Sequence, residues 1–141
     1  MKVIQVSNDK ERAAAFLIRQ KVFVEEQKVP LEEEIDSFED EALHFVAYHN
    51  DKPVGAGRLR LFDHFGKVER VCVLQQARGT GAGRALMETI EASISAAGKP
   101  KAKLNAQCQA EEFYQKLGYE TISDQFLDAG IPHVTMLKTV N

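Results

Sequence analysis

Cysteine occurs only twice in this chain of 141 residues, as Cys72 and Cys108. Two thiols cannot make a disulfide framework, so a fold stapled by bridges is excluded and a reducing, cytoplasmic setting is expected. No apolar run approaches the roughly 20 residues a membrane helix requires. The N-terminus, Met1-Lys2-Val3-Ile4-Gln5-Val6, alternates like a strand and lacks an apolar signal core, so no membrane association is expected. Repeats, low-complexity tracts and linkers are missing as well. There is no basic stripe with interleaved aromatics, which disfavours nucleic acid as a partner. His44, His49, His64 and His133 show no metal-ligand spacing, and no metal is expected.

What is there fits one domain spanning 1–141, long enough to bury a core of its own. The overall charge of −3 hides an asymmetry. From Glu25 to Glu41 there are nine carboxylates and one lysine, a balance of −8 that leaves +5 for the rest of the chain. An acidic lobe of this kind suits a cationic partner. The plainer reading is that Glu32-Glu33-Glu34 and Glu39-Asp40-Glu41 solvate an exposed loop, and for most of these carboxylates it is the favoured one.

The most informative stretch is Val68-Glu69-Arg70-Val71-Cys72-Val73 followed by Arg78-Gly79-Thr80-Gly81-Ala82-Gly83-Arg84. A β-branched strand runs here into a glycine-rich turn and a helix. Three alternating glycines leave little side-chain bulk, so backbone N–H groups can converge on an anion, and the helix adds its own unpaired N–H groups. Arg78 and Arg84 flank the turn with guanidinium groups suited to phosphate oxygens. The turn lacks the lysine and following hydroxyl residue of a P-loop. It also lacks the third glycine of a dinucleotide fingerprint: from Gly81 that position is Leu86, and from Gly79 it is Arg84.

Periodicity elsewhere predicts alternating strands and helices. Val3–Val6 reads as a strand. A helix capped by Asn8 or Asp9 follows, with Ala13, Phe16 and Leu17 on one face and a reach to Val24. Pro30 marks an irregular or newly starting segment. Leu43–Tyr48 and Pro53–Phe62 form a hairpin about Asn50-Asp51, and Lys67–Val73 is the next strand. Helix Gly83–Ala97, with Leu86, Ile90, Ile94 and Ala97 on one face, stops at Gly98 and Pro100. Strand Lys103–Gln107, helix Ala110–Leu117 and strands near Tyr119–Ile122 and His133–Leu137 complete the chain. The order β-α-α-β-β-β-α-β-α-β-β predicts a mixed α/β fold, with a twisted central sheet covered by helices on both faces. The strands on either side of helix Gly83–Ala97 should run parallel.

Arg-x-x-Gly-x-Gly at Arg78, Gly81 and Gly83, after a Val-x-Val strand, resembles the acetyl-CoA loop of the GNAT N-acetyltransferases, and the element order is that of the GNAT fold. Asn105-Ala106-Gln107 leading into Phe113-Tyr114-Gln115-Lys116-Leu117-Gly118-Tyr119 is similar to the family's Phe-Tyr-x-x-x-Gly-Tyr region. Val22-Phe23-Val24-Glu25-Glu26-Gln27-Lys28-Val29-Pro30 and Gly130-Ile131-Pro132-His133 resemble its small bacterial YjcF/ElaA branch. The resemblance covers essentially the whole chain.

It implies acyl transfer from a thioester, acetyl-CoA, to an amine on a small molecule or a peptide, by a monomer or homodimer. The alternatives are transfer of a longer acyl group or a non-catalytic acyl-CoA sensor. A lysine-like amine lies about 3.4 pH units, roughly 4.6 kcal/mol, from its neutral form at pH 7. Glu69 is the candidate base. In an alternating strand it shares a face with Val71 and Val73. It could equally be an ion-pair partner for Arg58, Arg60 or Arg70. Tyr114, which the resemblance places near the cofactor sulfur, is the candidate acid or hydrogen-bond donor, with packing of the last helix as the other reading. Val71, Cys72, Val73, the loop Arg78–Arg84 (with Gly79, Thr80, Gly81, Ala82 and Gly83) and Asn105 are the candidate cofactor contacts. A backbone amide near Val71 would serve the carbonyl. Cys72 and Cys108 have no neighbouring histidine, and packing is the expected role of both.

Overall fold

The computed structural model describes residues 1–140. Strand β1 (Lys2–Gln5) leads into α1 (Asp9–Arg19), which Asn8 caps by accepting the Glu11 N–H at 2.8 Å. The Glu11 carboxylate in turn accepts the Ser7 N–H. The helix does not simply run to Val24. Beyond Arg19 it widens into π-helical turns over Gln20–Glu26, and a one-turn α2 (Leu31–Glu34) starts directly after Pro30. Next come β2 (Leu43–His49), β3 (Lys52–Leu61) and β4 (Phe65–Val73), then α3 (Ala82–Ala96), β5 (Lys101–Gln107) and α4 (Glu111–Lys116). The chain closes with β6 (Glu120–Thr121), β7 (Phe126–Asp128) and β8 (Ile131–Thr139). Strand β7 was not anticipated. It is three residues long and pairs with β8 across a hairpin turned by Ala129 and Gly130, both at positive φ.

The strands form one sheet in the order β1-β2-β3-β4-β5-β8-β6, with β7 also on β8. Every pairing is antiparallel except β4 with β5, the pair joined through α3. Side-chain alternation divides the core into two layers. Phe45, Leu59, Val68, Leu104 and Met136 meet Leu86, Met87, Ile90 and Ile94 of α3. Val46, Ala56, Cys72 and Leu74 meet Ala15, Ile18 and Val22 on the opposite face.

The face of α3 was read well, except that Ala97 is exposed and Met87 is buried. The face of α1 was not. Ala13 and Leu17 point to solvent, and the buried side is Ala15, Ile18 and Arg19. The reason is the fully buried Arg19, a charge that a hydrophobic-periodicity argument places outside.

Two features of β4 position the site. Arg58 pairs with Glu69 and Ala56 with Cys72, so Gly57 alone stands opposite both Arg70 and Val71. This is a β-bulge, and its first residue, Arg70, has φ +57°. Gly57 lies under α3, where a Cβ would come within 2.8 Å of Ile90 Cδ1. The second feature is the end of the parallel ladder. β4 and β5 pair only from Phe65 with Lys101 to Val68 with Leu104, although each strand continues for several residues.

Candidate active site

Past Val68 and Leu104 the two parallel strands diverge, and a wedge opens in the middle of the sheet. β4 stays paired with β3 as far as Val73, and β5 with β8 as far as Gln107. The strand edges facing the wedge therefore carry backbone N–H and C=O groups with no ladder partner. The wedge is the centre of a cleft of about 1000 Å³, bounded by β4, β5, the glycine turn, α4 and the π-helical segment.

The glycine turn closes one end. After one 3-10 turn (Gln75–Ala77), the chain passes through Gly79 at φ +83° and Gly81 at φ +90° before α3 begins at Ala82. A Cβ at either glycine would meet nothing within 4 Å, so conformation, not crowding, calls for glycine there. The open space lies directly before the first turn of a 15-residue helix, whose N–H groups have no intrahelical acceptor. Gly83 serves a different purpose: a Cβ there would stand 3.1 Å from Phe113 Cζ. Thr80 donates its hydroxyl to the Ala77 carbonyl.

The flanking arginines are partly engaged. Arg78 makes a two-pronged ion pair with Glu26 (2.8 Å for each bond) and donates to the Val73 carbonyl, tying the turn to the π-helical segment. Arg84 is exposed and pairs with Glu88 one helical turn on.

Glu69 corrects an expectation. The bulge at Arg70 shifts the alternation by one residue, so Glu69 does not share a face with Val71 and Val73. Those valines pack toward α3, whereas Glu69 lies on the α1 side with Cys72. Its carboxylate accepts from Arg58 at 2.9 Å and Arg60 at 2.8 Å, with Lys67 at 3.4 Å. Burial alone would raise its pKa. The Arg60 hydrogen bond and the charges of Arg58 and Lys67 overcome that and hold it down at about 2.

Most of the acidic lobe is exposed as the solvated-loop reading has it, Glu32, Glu33, Asp40 and Glu41 among them, but two carboxylates depart from it. Glu34 and Glu39 are buried on Arg19, at 2.6 and 2.7 Å, and Glu39 also reaches Arg58 at 3.1 Å. Asp36 bridges Arg58 and Arg70. Burial again favours the neutral acid of Glu39, but Arg19 and Arg58 outweigh it and hold the group at about 2. Four arginines and four carboxylates thus knit α1, α2, the following loop, β3 and β4 together. Glu32 and Glu33 stay exposed along the cleft.

Tyr114 projects from α4 with its ring edge-on to Phe113 and Tyr119, so it does pack. Its hydroxyl has no hydrogen-bond partner among the described residues and reaches the cleft. Burial, with a smaller contribution from Cys72, pushes the phenol pKa up. Burial likewise pushes the Cys72 thiol up to about 12, which keeps it a thiol. Asn105 accepts from the Thr135 hydroxyl at 2.8 Å, and Gln107 exchanges hydrogen bonds with Gln27 across the cleft mouth.

The sequence names Arg58 only as an ion-pair partner for Glu69, and Gln27, Gln107 and His133 only inside quoted segments or lists, while Arg19 goes unnoticed. His133 was quoted in a resemblance and among the four histidines without metal-ligand spacing. Its signal was the turn pair Ala129-Gly130 before a strand that returns it to the cleft.

A helix N-terminus behind an open glycine turn, set beside a splayed parallel strand pair, lines one long open cleft. The chain belongs to the acetyltransferase (GNAT) domain family, whose match covers residues 6–140. It is 48% identical to the uncharacterized N-acetyltransferase YjcF of Bacillus subtilis over 98% of this chain and 99% of that protein. It is also 29% identical to the ElaA protein of Escherichia coli, over 90% and 86% of the two chains. Among solved structures, an N-acetyltransferase-class protein from Lactobacillus plantarum superposes with a TM-score of 0.92 at 31% identity, covering 99% and 98%. An aminoglycoside 6'-N-acetyltransferase in complex with coenzyme A shares the fold at a TM-score of 0.79 and 15% identity, covering 100% and 98%.

Proposed function

We propose that the chain transfers an acetyl group directly from acetyl-CoA to a primary amine. The observation that carries this reading is the wedge between β4 and β5, which meets the open glycine turn at one end and the unpartnered Tyr114 hydroxyl at the other. The residues fit such a cosubstrate. Gly79, Gly81 and the first-turn amides of α3 would hold its pyrophosphate. The free edges of β4 and β5 would hold the amides of its pantetheine arm, and a backbone amide near Val71 would polarise the thioester carbonyl. When bound, the cosubstrate supplies the activated acyl carbon.

Tyr114 stays protonated and donates to the negative charge that develops on sulfur. Cys72 remains a neutral thiol at physiological pH, which favours direct transfer over an acyl-cysteine route. A carboxylate with a pKa near 2 is a weak base for an ammonium ion, so we assign Glu69 to the ion-pair network. The exposed Glu32 and Glu33 on the α1 side of the cleft favour a cationic acceptor.

Purified protein mixed with acetyl-CoA and a panel of primary amines tests this. Amine-dependent release of free thiol, with an acetylated product by mass, is the expected result. Acetyl-CoA binding without amine-dependent turnover would leave a sensor and overturn the proposal.

A further inference from the structure

With Glu69 committed to arginines, another group must take the amine proton. We infer that His133 is the general base of this site, an inference that rests on the acetyl-transfer reading above. His133, the third residue of β8, stands directly opposite Gln107, and side chains opposite each other in an antiparallel pair share a face. Val134 and Met136 belong to the α3-side core, so His133 lies on the other face, the one that carries Glu69 and Cys72 across the wedge. It is 8% exposed, and that residual surface borders the cleft.

Its tautomer is fixed by geometry. Nδ1 lies 2.6 Å from the Ile131 carbonyl oxygen, which can only accept, so Nδ1 carries the hydrogen and the lone pair sits on Nε2. Stacking on Phe126 at 6.0 Å holds the ring plane. Among the described residues, the one fully buried side-chain nitrogen without a partner is Nδ1 of His44. Nε2 of His133 also has no partner there and is not fully buried, and His133 is one of the residues that line the cleft. A tautomerically fixed imidazole with a free lone pair at the acceptor side is the arrangement a general base requires.

The proton balance follows. The acceptor ammonium gives one proton to Nε2, and imidazolium later passes it to water. The freed nitrogen lone pair forms the N–C bond as the C–S bond breaks and its electron pair stays on sulfur. The second nitrogen proton offsets the thiolate charge, so the products are amide, thiol and one released proton. The titratable groups on elements packed against β8 are Lys101 and Lys103 of β5, Glu120 of β6, Asp128 of β7 and Cys108 of the turn before α4, with Lys103 on the same face of β5 as Gln107. Across the cleft stand Glu32, Glu33, Arg70 and Tyr114.

His133→Asn tests the inference, because its amide N–H can still donate to the Ile131 carbonyl while no base remains at the Nε2 position. With an alkylammonium acceptor, kcat/KM at pH 7 should fall about 100-fold or more, and the rising limb of the pH profile should vanish. With an amine already neutral at pH 7 the loss should shrink to within about tenfold, and acetyl-CoA affinity should stay within about twofold of wild type. A pH profile of unchanged shape, or equal losses for both amines, overturns the assignment. Should the variant fail to fold, the wild-type protein decides: the His133 ring resonance must titrate at the midpoint of the kinetic limb, and a mismatch overturns it. A wild type that binds acetyl-CoA yet acetylates no amine overturns the transfer reading itself, and this inference with it.

Discussion

The two walls of the cleft are built on opposite principles. The α3 wall is made from backbone: two glycines at positive φ, a helix start and two strand edges, with few side chains committed. The α1 wall is made from side chains. Arg19 and Arg58, both buried, gather Glu34, Asp36, Glu39 and Glu69 from two separate stretches of chain, residues 34–39 and strand β4. Backbone sites tolerate exchange of the surrounding side chains and bind what any family member binds. Ion-pair walls depend on every partner. The first suits a common cosubstrate, and the second suits selection of an acceptor.

The sharpest way to break this contrast is at Arg58. Arg58→Ala leaves Glu39 and Glu69 buried without their shared cation, and removing one partner of a buried pair costs about 3–5 kcal/mol. Urea unfolding should show that loss at pH 7. It should shrink as the pH falls. Glu39 and Glu69 are held at about 2, below the ordinary 4.5, so the folded state keeps their charge while the unfolded chain takes up protons. The stability they contribute is complete above about 4.5 and drains away as the pH falls toward 2. Melts of wild type and variant across that range should converge.

The backbone wall should break differently. Gly81→Val forces a β-branched residue to φ +90° and fills the open space over the turn. Acetyl-CoA affinity by calorimetry should fall about 100-fold, with a melting temperature lowered by only a few degrees. Unchanged affinity would remove the turn from the site.

Tyr114→Phe separates chemistry from packing, since the ring contacts with Phe113 and Tyr119 survive. A drop of about tenfold in kcat with little change in acetyl-CoA KM is expected, because the hydroxyl acts on charge formed in the transition state. The smallest effect belongs to Arg84. Exposed and paired within its own helix, it should lose about twofold in acetyl-CoA affinity as Arg84→Ala, and that loss should disappear in high salt.

How much was legible in the sequence follows the same division. The glycine turn, the β-α-β unit and the α3 face Leu86, Ile90 and Ile94 are local patterns, read from neighbours within a few residues. The pairing of Arg58 with Glu69 was one of the two readings of that carboxylate, but the burial of Arg19 and Arg58 was not legible, because what makes a buried arginine tolerable is a carboxylate 11 to 22 residues away, and spacing does not announce such partners. Glu69 was placed on the wrong face by strict alternation, since a bulge announces itself only once Gly57 is seen opposite two residues. His133 stood in a quoted segment, but its tautomer depends on a carbonyl two residues back and its solvent contact on a cleft that forms only when β4 and β5 part.

That parting has a consequence for the life of the protein in a crowded solution. A row of unpaired strand N–H and C=O groups is an invitation to any other extended chain, and sheet proteins usually blunt such rims with proline, lysine or a very short strand. Here two rims face each other inside the molecule, roofed by the π-helical segment and floored by α4. A narrow polymer can thread between them, whereas a second sheet cannot. The fold thus carries open pairing capacity without the usual hazard of fibrous self-association. Those amide hydrogens of β4 beyond Val68 that point into the wedge, away from β3, should exchange quickly in the free protein and become protected on loading, a readout of occupancy that needs no turnover.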